Sequence, residues 1–321
     1  MIRHLTRKKL MTHPDRESAF ISRKTSSSLA LAQPAAWLRH SLFIATLIMV
    51  GCNNAPHLHA DDRDASSSKP IVPDFWDEIP ASPSTTIPDG IRDGYWHSQF
   101  QRVNQAVARA DQSQVVFFGD SITLRWSMLK AEGKAVWEEQ FAKYNPINMG
   151  NSGDITPVML YRVTHGNLDF APGQEPRVAV LLCGTNNYVV TQSDGGKVKW
   201  DLGIDTPPRD VAHGVRAVAQ EFRRRLPNTR VILLGILPVK SQAKWIKCKE
   251  TNWINASYRY PIDEVVFLDL QDHFLNADGS LKADLFVDGT HLSLSGYAVL
   301  AGELAPMIGR LMKLGPVGAP P

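Results

Sequence analysis

Cysteine is nearly absent from this 321-residue chain, which holds three, at Cys52, Cys183 and Cys248. No C-x-x-C pair occurs, and none of the ten histidines shows the H-x-x-x-H spacing of a helical zinc site. A disulfide framework and a sequence-encoded metal site are therefore not expected, nor is any cofactor. No apolar run approaches the ~20 residues needed to cross a bilayer. A basic stripe interleaved with aromatics is also missing. The net charge of +3 does not replace it, because eight of the 35 Lys/Arg lie in the first sixty residues, against only Asp15 and Glu17 there. The rest holds 27 bases and 30 acids, so no nucleic-acid partner is expected.

That basic segment reads as an export leader over residues 1–60. Basic residues ending at Arg39 and His40 precede a short apolar core, Leu42 to Val50, and then Gly51-Cys52. Ile48-Met49-Val50-Gly51-Cys52 resembles a bacterial lipobox, with Met49 where Leu is commoner. In that reading Cys52 becomes a lipidated N-terminus that attaches the protein to a membrane of the cell envelope. Signal cleavage after Ala60 is the rival, giving a periplasmic or secreted protein, and Met11 is a second candidate initiator. Residues 61–93 form a linker or strap, rich in Ser and Pro from Ser66 to Pro88 and carrying Phe75-Trp76. Residues 315–321 form a tail.

Over residues 94–314 apolar runs alternate with helix-like stretches. The runs are Val115–Phe118, Pro146–Met149, Val178–Cys183, Val231–Ile236 and Val265–Leu270. Being apolar at successive positions, they fit strands buried on both faces of a parallel sheet. Helices are expected near Trp96–Ala110, Ser127–Lys143, Arg209–Arg225, Gln242–Tyr258 and Ser293–Lys313, the third with Val211, Val215, Val218 and Phe222 on one stripe. The pattern predicts an α/β fold with three layers and a central parallel sheet of about five strands. Cys183, closing one run, reads as a small buried side chain.

Four short motifs punctuate this pattern. They are Gly119-Asp120-Ser121-Ile122-Thr123, Asn148-Met149-Gly150-Asn151-Ser152-Gly153-Asp154, Gly184-Thr185-Asn186-Asn187 and Asp288-Gly289-Thr290-His291. Together they offer a serine nucleophile, a base with its orienting carboxylate, and donors for a developing oxyanion, the parts acyl transfer requires. Three of them follow predicted strands, and sites in open α/β sheets form outside the carboxyl ends of strands. The motifs resemble the four blocks of the SGNH/GDSL hydrolase superfamily. Within it the chain is most similar to the platelet-activating-factor acetylhydrolase catalytic-subunit type. Phe117 to Thr123 with Trp126 behind, Asn148 to Asp154 and Leu182 to Asn187 carry that likeness. It covers roughly residues 94–312 and implies a flavodoxin-like fold and serine esterase activity, often on acetyl groups. An insertion at 189–204 and the segment 240–252 depart from the family pattern.

The resemblance implies Ser121 as nucleophile, His291 as general base and Asp288 as its orienting carboxylate. The N–H groups of Ser121 and Gly150 and the amide of Asn186 would form the oxyanion hole. Tyr188 and Trp200 are placed to line the substrate cleft. Trp126 and Trp137 fit core anchors, Asp120 a brace of nearby backbone amides, and Asp154 and Asn187 loop braces. For Gly150 a turn glycine of positive φ is the competing role. The expected activity is hydrolysis of short acyl esters, acetyl above all, on carbohydrate. Lysophospholipase or thioesterase activity on lipid acyl esters is the second reading, and a non-catalytic glycan-binding surface protein the third.

Overall fold

Four consecutive large apolar residues, Val115 to Phe118, cannot all be hidden by one neighbouring layer, since alternate side chains of a strand point to opposite faces. The computed structural model resolves this with helices on both sides. It describes residues 73–80, 94–128, 131–188, 206–261, 263–315 and 317. The leader with Cys52 and the insertion with Trp200 lie outside the described residues.

Strands β1 (Val115–Gly119), β2 (Ile147–Gly150), β3 (Val178–Leu182), β4 (Arg230–Leu234) and β5 (Val265–Leu268) pair in parallel in the order β2-β1-β3-β4-β5. This is the flavodoxin-like order, and its winding reverses between β1 and β3, where a crevice opens at the carboxyl ends. Gly119 is in register with Gly150 on one side and Leu182 on the other, so three of the four motifs start level.

Val116 and Phe118 face helices α1 (Gly94–Ala108), α4 (Thr156–Thr164), α5 (Pro208–Arg225) and α6 (Gln242–Ala256). Val115 and Phe117 face α3 (Lys134–Phe141) and α7 (Leu294–Leu311), together with Trp126 and Trp137. A four-residue helix, α2 (Ser121–Leu124), follows β1 directly. Among the described residues no helix is long and apolar enough to cross a membrane. Cys183 and Cys248 are buried free thiols.

Two helices differ from expectation. Among the described residues the stretch from Ser127 is helical only from Lys134: a Cβ on Gly133 would come within 2.8 Å of Trp126 Cα, whereas one unbroken helix would hold residues seven apart roughly 10 Å from each other. Helix α4 was not foreseen: seven of its nine residues are buried, so it has no polar face to reveal a period. Its start signal is Pro157 in the first turn.

The strap enters the core. Phe75 is fully buried among the α5-side apolar residues, and its N–H donates to Arg259 O at 2.8 Å. Gln220 Nε2 donates to Phe75 O, and Arg216 to Asp74 O at 3.0 Å. Phe75→Ala should therefore destabilise the domain by about 3–5 kcal/mol, the usual cost of emptying a buried Phe site. Urea unfolding checks this, and a loss below about 1 kcal/mol would show that the strap is not part of the folded body.

Candidate active site

Turning the chain from β1 straight into α2 requires a residue with no side chain at the corner. A Cβ on Gly119 would lie 2.3 Å from Thr123 Oγ1 and 2.7 Å from Leu182 O. Asp120 then caps α2: its Oδ1 accepts from Ile122 N at 2.9 Å. Asn148 Nδ2 donates to Thr123 O at 2.7 Å and the Tyr297 hydroxyl to Ile122 O at 2.7 Å. Ser121 is thus the first residue of a pinned helical turn, where an N–H has no intrahelical acceptor.

The fourth motif returns to this turn through a small closed loop. Val287 N donates to His291 O at 2.9 Å, and Lys240 N to Gly289 O at 2.7 Å. Gly289 has φ +80°, and the stem of Lys240 packs so close that a Cβ there would sit 2.5 Å from Lys240 Cβ. Asp288 Oδ1 accepts from Thr290 N at 3.0 Å and His291 N at 2.8 Å, and its Oδ2 lies 2.6 Å from His291 Nδ1. His291 Nε2 lies 2.8 Å from Ser121 Oγ. Partial burial works to raise the Asp288 pKa, but the bonds from the His291 amide, the His291 ring and the Thr290 amide outweigh it and hold it below the usual carboxylate range. The carboxylate therefore stays charged beside the imidazole. Hydroxyl, imidazole and carboxylate form one line, as general-base activation of a serine requires.

The acceptor side of the site is built from the β2 and β3 loops. Asn186, in the 3-10 turn Thr185–Tyr188, directs Nδ2 to Asp154 O at 3.1 Å and lies 3.4 Å from Asp120 Oδ2. This places its amide beside the turn that carries Ser121. Asp154 is fully buried; its carboxylate accepts from Trp96 Nε1 at 2.7 Å and Arg162 Nη1 at 2.5 Å. Asn187 is also buried and ties Thr156 by its N–H at 3.2 Å and its hydroxyl at 2.9 Å. Both act as braces.

Two expected site residues are corrected. The N–H of Gly150 donates to Asn148 Oδ1 at 2.8 Å within buried structure, so it is not available to an oxyanion. Nor does Gly150 adopt positive φ. It is glycine because a Cβ would lie 2.2 Å from Leu124 N. The positive φ, +78°, belongs to Gly153, next to the carbonyl that holds Asn186; its N–H has no acceptor among the described residues. The sequence signal was the second glycine of the same motif. Tyr188 is fully buried, with its hydroxyl bonded to Thr251, and belongs to the core instead of the cleft. Its ring follows the 3-10 turn inward against α6.

Asp120 has no exposed surface; burial, the largest influence, pushes its pKa up to about 6. The bond from the Ile122 amide and the positive fields of His291 and Lys244 oppose the rise, and Asp154 adds to it. Among the described residues no cluster of three or more His, Cys, Asp or Glu side chains could hold a metal ion.

Comparison with known proteins places these features in a family. Residues 117–299 match the model of the GDSL-like lipase/acylhydrolase family. Platelet-activating factor acetylhydrolase IB subunit alpha1 of Bos taurus is 29% identical over 239 residues, covering 74% of this chain and 92% of that one. The alpha2 subunit of Rattus norvegicus is 26% identical over 74% of this chain and 93% of its own. A GDSL-like lipase from Bacteroides thetaiotaomicron superposes with a TM-score of 0.50 at 18% identity, covering 68% of this chain and 98% of its own, a likeness of fold. With more than half of its length matched and all four motifs inside the matched span, the chain belongs to the GDSL-like lipase/acylhydrolase family and is an ester hydrolase.

Proposed function

We propose that this chain is a serine esterase that removes short acyl groups, acetyl above all, from hydroxyl-rich alcohols such as carbohydrates. The observation that carries the catalytic part is the 2.8 Å contact between Ser121 Oγ and His291 Nε2, backed by Asp288. The acetyl preference draws support from relatives named acetylhydrolases. The polar run Thr191 to Lys197, following the third motif, supports a hydroxyl-rich alcohol portion. Export with lipid attachment at Cys52 is part of the same proposal, resting on the leader alone.

In this reading Ser121 Oγ attacks the ester carbonyl carbon while His291 Nε2 takes the hydroxyl proton. Asp288 stabilises the imidazolium that forms. The carbonyl oxygen becomes an oxyanion held by the N–H of Ser121, the N–H of Gly153 and Asn186 Nδ2, which keeps its bond to Asp154 O and gives up the longer 3.4 Å one to Asp120. The imidazolium returns its proton to the alcohol oxygen as the C–O bond breaks, leaving an acyl-serine. Water, deprotonated by His291, attacks the acyl carbon, and release of the acid restores Ser121.

Three outcomes follow from this arrangement. On p-nitrophenyl esters, kcat/KM should be highest for acetate and fall through butyrate to octanoate; a preference for octanoate would favour a lipid-directed esterase. Asn186→Ala should lower kcat on p-nitrophenyl acetate a hundredfold or more, about 3 kcal/mol of barrier, with KM little changed. An unaltered kcat would remove Asn186 from the oxyanion site.

The third outcome concerns Asp120. The folded protein keeps its Asp120 proton up to about pH 6, whereas the unfolded chain releases it near pH 4. Folding therefore binds a proton in this window, and the contribution of Asp120 to stability declines as pH rises from about 4 to 6. Asp120→Asn keeps the cap acceptor but lacks this titration. Its melting temperature relative to wild type should climb between pH 4 and 6 and level off above. A pH-independent difference in thermal melts would contradict the buried charge.

A further inference from the structure

Exposing an indole ring to water forgoes the burial of one of the largest apolar surfaces a side chain offers. Trp253 on α6 is nevertheless 73% exposed, the most open large hydrophobic side chain among the described residues. Ile246, 51% exposed, lies seven residues earlier and therefore on the same helix face. Between them Lys249 and Glu250 are also exposed, and Asp269 and Gln271 beyond β5 close a groove of about 540 Å³. Gln271 is fixed there, its N–H and Nε2 donating to Asp269 at 3.1 and 3.2 Å.

The opposite side of α6 is anchored to the sheet. Asn252 Oδ1 accepts from Ile236 N at 2.7 Å, and its Nδ2 donates to Ile236 O at 2.9 Å, just past the carboxyl end of β4. The groove thus opens near the same edge of the sheet as Ser121, on the far side of β4. Three strand spacings separate β1 from β5, roughly 14 Å. A single sugar ring cannot span that distance, whereas an oligosaccharide can.

The chemistry selects the occupant. Two apolar side chains on one helix fall well short of the ~1,200 Å² or more that a stable protein interface buries. Lys249 stands against both Glu250 and Asp269 in the lining, so the rim has no excess of positive charge with which to seek an anionic bilayer. A flat indole flanked by donors and acceptors of both kinds suits the apolar face and hydroxyl edges of a sugar ring. We propose that this groove is a glycan subsite, holding the distal part of an oligosaccharide whose acetyl ester is cleaved at Ser121. The substrate assignment rests on the carbohydrate reading above, while the binding claim stands alone.

Two measurements on the full chain test this. The first is kcat/KM of wild type, Trp253→Ala and Trp253→Phe on p-nitrophenyl acetate, an acetylated monosaccharide and an acetylated xylohexaose. Trp253→Ala should match wild type on the first two and fall about tenfold on the hexaose, the scale of one ring contact, with Trp253→Phe retaining most of the rate. The second is calorimetric titration of Ser121→Ala with unacetylated xylohexaose and cellohexaose, where binding should vanish on adding Trp253→Ala. Binding without turnover of the acetylated hexaose would sustain the groove and overturn the carbohydrate substrate. No binding of either sugar, or hexaose turnover at the same measurable rate in wild type and Trp253→Ala, would overturn the groove. So would a dimer in light scattering that Trp253→Ala dissociates, which would assign the face to a second copy.

Discussion

A guanidinium with no access to water holds the catalytic edge of this enzyme together. Arg162 projects from α4 beneath the ends of β1 and β2 and lies over the Phe118 ring, 4.4 Å from its centroid. Isolating such a charge costs several kcal/mol unless its donors are matched. Here Nε meets Asn167 Oδ1 at 2.8 Å, Nη1 meets Gly119 O at 3.3 Å and Asp154 Oδ2 at 2.5 Å, and Nη2 meets Met149 O. One side chain therefore joins the end of β1 just before the Ser121 turn, the end of β2 and the loop that follows. Because Asp154 O in turn receives Asn186 Nδ2, the position of the third motif depends on the same charge.

Close approach does the rest. At Gly119 and Gly150 the backbones of β1, β2 and α2 come nearer than any Cβ would permit. At Gly289 a left-handed turn lets Asp288 bond two amides and the imidazole at once. Serine and histidine are 170 positions apart, yet both are fixed by backbone bonds within their own loops. Preorganisation of this kind is what makes oxyanion and general-base catalysis effective, since nothing must reorganise as charge develops.

The sheet was legible because strands buried on both faces must be apolar at every position, and all five runs became strands to within a few residues. The four motifs were legible because a corner glycine, a serine two residues on and an Asp–His pair at close spacing leave local marks. Other features left none. Arg162 lies on a helix that the pattern did not predict, and a chain cannot show that its acceptors include carbonyls at the ends of two strands. Tyr188 looked like a cleft residue from its place after the third motif, but the 3-10 turn carries its ring into the core. Gly150 and Gly153 share one motif, and only the hydrogen bond of Asn148 distinguishes a glycine needed for space from one whose amide has no acceptor among the described residues.

The central claim is that Ser121 is an activated nucleophile because His291 reaches it. Incubating the folded protein with a fluorophosphonate and mapping the adduct by peptide mass spectrometry tests this most directly. The account predicts one adduct, on Ser121, absent in Ser121→Ala and formed far more slowly in His291→Ala. A folded protein that takes up no label, or carries it on another residue, would contradict it.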